Sequence, residues 1–138
     1  MWIFESQHCL THTRYRDVGV MLTSDRHIQT LNRKYRRQNR PTDILSFPYH
    51  KIRVAGRLPR VNHAEDRYLG DMVVSVPYVH RWCLAQHPVV DVEERMLRLL
   101  AHGLCHLIGY DHETDEQYED MIKLENKLLH HVAAVYLS

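Results

Sequence analysis

The segment AHGLCHLIGYDHE sets His102 and His106 four residues apart, with Gly109 three residues further on and His112 three after that. On a helix, residues four apart lie one above the other, so the two imidazoles can chelate a single ion. Gly109 can take the left-handed backbone conformation that ends a helix and reverses the chain. That reversal would return His112 as a third ligand. Three imidazoles with one open position describe a catalytic zinc site, since structural zinc sites generally close with four ligands. Zinc proteases ordered H-E-x-x-H-x-x-G-x-x-H share this spacing. Here, however, Gly103 stands where they keep the glutamate that serves as general base. Zinc lowers the pKa of a bound water to about 7 and so supplies a nucleophile without that carboxylate. The substrate expected is therefore not a peptide.

The plainer reading is three ordinary polar residues in a chain that holds 12 histidines. The helical wheel weighs against it. At about 100° per residue, Met96, Leu97, Leu100, Leu104, Leu107 and Ile108 fall on one side and the two histidines roughly opposite. Histidines serving as core filler would sit within the apolar stripe. Cys105, between the histidines, is either a fourth ligand or a small buried filler. Its direction, away from the His102–His106 face, favours the filler.

A phosphate substrate needs a cation to balance charge in the transition state. RKYRRQNR, residues 33–40, has five cationic residues in eight and is the obvious source, although cations at a helix C-terminus also complement the helix dipole. Lys34, Arg37 and Arg40 are the candidates for holding phosphates, which carry no sequence information. Asp71, in the strand motif LGD, is a candidate for orienting a metal ligand or a water from behind. Its plainer role is a partner at a strand edge or turn.

These residues must be positioned by regular elements. DVGVMLTS predicts a strand over Val18–Leu22 that runs into a Ser/Asp helix start. Ile28, Leu31 and Tyr35 recur at helical spacing and predict a helix from about Asp25 to Arg37, and Pro41 prevents its continuation. DILSF, Asp43–Phe47, is a second strand. Residues 50–68 are polar and irregular and read as a flexible loop. LGDMVVSV is a third strand, followed by a helix with Pro77 in its first turn that runs to about Gln86. Asp91 with Glu94 caps the helix that carries the histidines, which ends near Gly109. Thr114 and Gln117 form a further capping box. Tyr118, Met121, Ile122, Leu128, Leu129, Val132 and Val135 mark one face of a terminal helix. The expected fold is α+β: a small mixed sheet packed with four to five helices, the metal site on a central helix and the turn after it.

Length and composition agree with one domain over residues 1–138. The apolar fraction of 44% and charged fraction of 25% are those of a globular protein, and no apolar run approaches a membrane span. MWIFESQHCL shows no export signal. Three cysteines, Cys9, Cys83 and Cys105, fit no C-x-x-C pattern and suit a reducing compartment. A net charge of +1 excludes a strongly basic nucleic-acid binder and leaves room for a local basic patch.

Three blocks of this sequence resemble a known family. HGLCHLIGYDH is similar to the H-G-x-x-H-L-x-G-x-D-H signature of the YbeY endoribonucleases. LNRKYRRQNRPTDILSFP resembles the family's L-N-x-x-Y-R…P-T-D-V-L-S-F-P segment, and LGDMVVSV its L-G-D-I-x-I-S strand. The likeness runs in order from about Val18 to the end of the chain. It implies a single-strand-specific endoribonuclease with one zinc ion, acting in small-subunit rRNA maturation and ribosome quality control. The expected partners are single-stranded RNA, small-subunit rRNA and the ribosome, with no membrane. The expected location is the cytoplasm, or an organelle in a eukaryotic host. By position, His102, His106 and His112 match the family's metal ligands, and Arg36 its functionally important arginine. On that reading Arg36 is catalytic; the plainer alternative is a helix-end arginine paired with Asp43. Residues before Val18 are fewer than the family usually has, so the first strand and helix are expected to be abbreviated. Two other functions compete: a zinc hydrolase of another substrate class, protease-like included, and a non-catalytic ribosome-associated zinc protein. Gly103 counts against the former. Arg36 and the open coordination position count against the latter.

Overall fold

A computed structural model describes residues 15–136. The expectation of an abbreviated first strand and helix falls largely on residues 1–14, outside the described residues. From Asp17 the chain alternates as the periodicities require: β1 (Asp17–Thr23), α1 (Asp25–Arg36), β2 (Ile44–Pro48), a short 3-10 turn (Ala64–Arg67) and β3 (Tyr68–Ser75). Three helices follow, α2 (Val76–Ala85), α3 (Val92–Leu107) and α4 (Asp115–Tyr136). The sheet is mixed, in the order β1-β3-β2, with β1 parallel and β2 antiparallel to the central β3. This is the α+β architecture read from the sequence.

β3 divides the molecule, because successive side chains of a strand point to opposite faces. Val73 packs with Leu45 and Ile28 on the side of α1. Val74 joins Val79, Cys83 and Leu99 on the other side, and Met72 joins Leu69 and Leu107 there. α3 lies on that second side against β2 and β3, and α4 packs against α3 from outside. Being covered on two sides, α3 buries Leu99, Ala101, Gly103, Cys105 and Leu107. The single apolar stripe expected from the wheel is therefore only part of the buried surface. Leu97, assigned to that stripe, is 46% exposed.

Helix ends follow the capping chemistry. Ser24 accepts from the His27 N–H, Asp91 from the Glu94 N–H at 3.0 Å, and Thr114 and Gln117 bond each other's backbone N–H reciprocally. α1 stops at Arg37, whose φ of 57° is left-handed, and its N–H returns to Asn32 O. The buried Asn32 amide donates to Arg40 O at 2.9 Å and so secures the loop that leaves α1.

The loop read as flexible is irregular but tied down. Arg16 donates to Asp66 O at 3.0 Å and to Pro59 O at 2.8 Å, and Gly56 N–H donates to Ile108 O at 2.9 Å. Those backbone partners are hidden from a pattern that registers only polarity and breakers. The Gly56 bond sets the loop directly behind the turn that follows α3.

Candidate metal centre

The turn after α3 is a Schellman motif: Gly109 N–H donates to His106 O at 3.1 Å and Tyr110 N–H to Cys105 O at 3.0 Å. Gly109 has φ 95°, and a Cβ there would lie 2.7 Å from Ile52, so both conformation and space call for glycine. The reversal brings His112 back over the helix. Its ring stacks on His102 at 5.6 Å between centroids and meets His106 edge-on at 5.2 Å. One ring nitrogen from each of the three histidines lies within 4.8 Å of the others.

The hydrogen bonds behind these rings fix which nitrogens face inward. His102 Nδ1 lies 2.7 Å from Glu125 Oε1, and His106 Nδ1 lies 3.1 Å from Tyr110 O. A carboxylate and a carbonyl only accept, so both rings carry their proton on Nδ1 and turn the Nε2 lone pair toward the centre. The two Nε2 atoms stand 3.1 Å apart. Two facing lone pairs repel unless a cation lies beside them, which is the arrangement of metal-binding imidazoles. Burial, and then the neighbouring His102 and His112, hold the His106 pKa below its usual value, which favours the neutral, ligating form. The donor set therefore fits a metal ion. Cys105 is not part of it: the side chain is fully buried, and burial pushes its thiol up to about 12. It is filler, as its direction on the helix implied.

Gly103 faces the sheet, about a quarter turn around α3 from the histidines. A Cβ on it would lie 2.5 Å from Met72 Sδ, 2.9 Å from Ile44 Cδ1 and 3.0 Å from Ser46 Oγ. The position that holds a glutamate in the protease pattern here abuts β2 and β3 too closely for a carboxylate.

The histidines open into a cleft of about 450 Å³. Arg36 lines it from the end of α1, its Nη2 donating to Ser46 O at 3.2 Å. Asp43, the alternative partner weighed for Arg36, is instead paired with Arg95 at 3.1 Å. Arg95 in turn lies over the Trp82 ring at 4.0 Å. Arg36 also borders an adjoining cavity of about 300 Å³, shared with Arg40, whose guanidinium donates to Gln38 Oε1 at 2.9 Å. Lys34 lies over the ring of its neighbour Tyr35 at 5.0 Å. Neither Lys34 nor Arg37 is among the residues lining these two cavities.

Asp71 is not brought to the histidines. Asp71 shares the face of β3 that carries Val73 toward α1, and it borders a separate groove there with Gly19 and His27. Its carboxylate accepts from the Tyr68 hydroxyl. Asp71 lies within the central strand, paired with Gly19 of β1 and Phe47 of β2, so this geometry gives it neither the strand-edge role nor a role orienting a ligand among the histidines.

The pattern missed Glu125, Arg98 and Tyr118, all of which line the cleft. Signals were present. Glu125 is an acid set into the apolar stripe of α4, one turn beyond Met121. Arg98 precedes His102 by four residues and so shares the histidine face of α3.

A mixed sheet backed by a helix and turn whose three convergent imidazoles could hold a metal ion, beside a cleft lined by arginines, defines an α+β protein suited to an anionic ligand. Comparison with known proteins makes this specific: the family model for Endoribonuclease YbeY matches residues 3–133, and the chain belongs to that family. It is similar to Endoribonuclease YbeY of Homo sapiens, 36% identical over 113 residues that span 82% of this chain and 66% of the human protein. The Endoribonuclease YbeY of Trichodesmium erythraeum is 35% identical over 137 residues, 98% of this chain and 72% of that one. A solution structure of a Thermotoga maritima protein aligns with a TM-score of 0.49 and 28% identity, covering 86% of this chain and 72% of that one. No helix of the described residues is long and apolar enough to cross a membrane.

Proposed function

We propose that this chain is a zinc-dependent endoribonuclease specific for single-stranded RNA. The observation that carries the reading is the shared cleft: three imidazoles on one wall and Arg36 on another, in a member of this family. His102, His106 and His112 would hold the ion through nitrogens whose ring partners, Glu125 and Tyr110 O, already set the tautomer. When bound, the ion supplies Lewis acidity and an acidified water for attack on a phosphodiester. Arg36 supplies a permanent, planar, bidentate charge for the phosphate, which lysine cannot copy. Its bond to Ser46 O aims that fork into the cleft and leaves further N–H groups for phosphate oxygens.

Lys34, Arg37 and Arg40 would hold the backbone of the strand on either side, with Arg40 in the adjoining cavity. The family resemblance extends the proposal to maturation of small-subunit rRNA and ribosome quality control, by a single domain in the cytoplasm or an organelle. The test is cleavage of an end-labelled single strand beside the same strand annealed to its complement. Cleavage of the single strand alone, abolished in His106→Ala, is expected. Equal cleavage of both, or full activity in His106→Ala, would refute the reading.

A further inference from the structure

The helical pattern assigns Tyr118 to the buried stripe of α4, yet its side chain is exposed while Met121, the next residue of that stripe, is buried. Tyr118 instead lines the cleft beside the three histidines, Arg36 and Arg98. Among the described residues its ring pairs with no other aromatic group or cation, and its hydroxyl makes no hydrogen bond. Only its backbone is engaged, donating to Thr114 O at 2.9 Å. The Thr114–Gln117 capping box fixes this first turn of α4, so the ring is presented from a rigid element. Arg98, one turn before His102 on the same face of α3, places a cation in the same cleft. Its solvent-exposed pairing with Glu94 at 3.3 Å is weak enough to yield to a phosphate.

We propose that Tyr118 is the stacking platform for an unpaired RNA base adjoining the phosphate that is cleaved. The proposal rests on the endoribonuclease reading and adds the group that selects the strand. A free ring beside a cationic cleft matches how single strands are held, by charge along the backbone and aromatic faces under the bases. Such stacking tolerates any sequence, because every base has a π-face. A base inside a duplex is already stacked on both sides and cannot reach the ring without being extruded. Tyr118 would therefore supply preference for single strands without any reading of sequence.

The test combines protein and substrate changes in the zinc-loaded full chain. Wild type, Tyr118→Ala, Tyr118→Phe and Tyr118→Trp are assayed on a labelled single-stranded RNA with a mapped cleavage site. A set of the same RNA carries one abasic nucleotide at successive positions around that site. On intact RNA, Tyr118→Ala should raise KM by roughly 5- to 150-fold, the range for loss of one stacked base, with kcat little changed. Tyr118→Phe and Tyr118→Trp should stay near wild type, and zinc affinity should be unaltered in all. At one abasic position the wild type should fall to the level of Tyr118→Ala, and the two changes should not add. A Tyr118→Ala loss of equal size on intact and on every abasic RNA would show a structural effect and overturn the proposal, as would no loss at all. A wild type that cleaves no RNA would instead overturn the endoribonuclease reading, and the stacking role with it.

Discussion

Gly103 offers a perturbation whose sign separates two physical effects. In an exposed helix interior, glycine to alanine stabilises by about 1 kcal/mol through backbone entropy. Here the added methyl would sit 2.5 Å from Met72 Sδ and 2.9 Å from Ile44 Cδ1. Met72 is itself buried, so its thioether can move only by displacing neighbours. Overpacking of that kind costs about 1–3 kcal/mol, which leaves Gly103→Ala between neutral and about 2 kcal/mol less stable. Gly103→Glu, which restores the protease pattern, adds the burial of a carboxylate whose stem would start against the Met72 thioether, the Ile44 methyl and the Ser46 hydroxyl. Its cost should be about 4 kcal/mol or more, because an uncompensated buried charge is strongly destabilising. Thermal unfolding of metal-free protein measures both, since near this size each kcal/mol moves Tm by about 2–4 °C. Zinc affinity should fall as well, because displacing the helix moves His102 and His106 on either side. A Gly103→Ala protein with a raised Tm would show helix propensity acting alone and would refute the close approach of α3 to the sheet.

Three further outcomes follow from the geometry. Glu125→Ala should weaken zinc binding by about 10–100-fold, the usual effect of removing a ligand's hydrogen-bond partner, with Glu125→Gln intermediate because its amide oxygen still accepts; competition with a chromogenic chelator measures it, and unchanged affinity in Glu125→Ala would refute the positioning role. Arg36→Lys should keep zinc and most RNA affinity while losing about 10²-fold or more in single-turnover cleavage, as on removal of donors aimed at developing charge; undiminished cleavage at normal zinc content would remove Arg36 from the mechanism. Cys105, buried and with its thiol pushed up to about 12, should resist alkylation at neutral pH until the protein unfolds, as peptide mass mapping would show, whereas rapid native labelling would contradict its burial.

The elements themselves were legible because their signals are local. The apolar run in LGDMVVSV, the Thr114–Gln117 box and the Gly109 stop each depend on residues within a few positions. The convergence of the three histidines was legible for the same reason, since helix pitch and one turn suffice to bring them together. What could not be read depends on partners distant in sequence. The wheel of α3 showed one apolar stripe but neither that α4 would cover a further face, which misplaced Leu97, nor that Gly103 would abut Met72, Ile44 and Ser46 of the sheet. The facing direction of Asp71 was set by which side of β3 received α3, a choice one strand's alternation does not contain. Glu125 lies 23 residues from the imidazole it contacts. The sequence marks it only as an acid out of place in an apolar stripe. Tyr118 was the reverse case, an aromatic residue in the stripe that the fold leaves uncovered.

The central claim is that one ion held by His102, His106 and His112 makes this cleft an RNA-cleaving site. Its most direct test is a zinc titration of chelator-treated protein, with the single-turnover rate on labelled single-stranded RNA read at each addition. No cleavage is expected without metal, and the rate should climb with added zinc to a break at one equivalent per chain, with His106→Ala flat throughout. Full cleavage by metal-free protein, or a rate in His106→Ala that climbs as in the wild type, would contradict it.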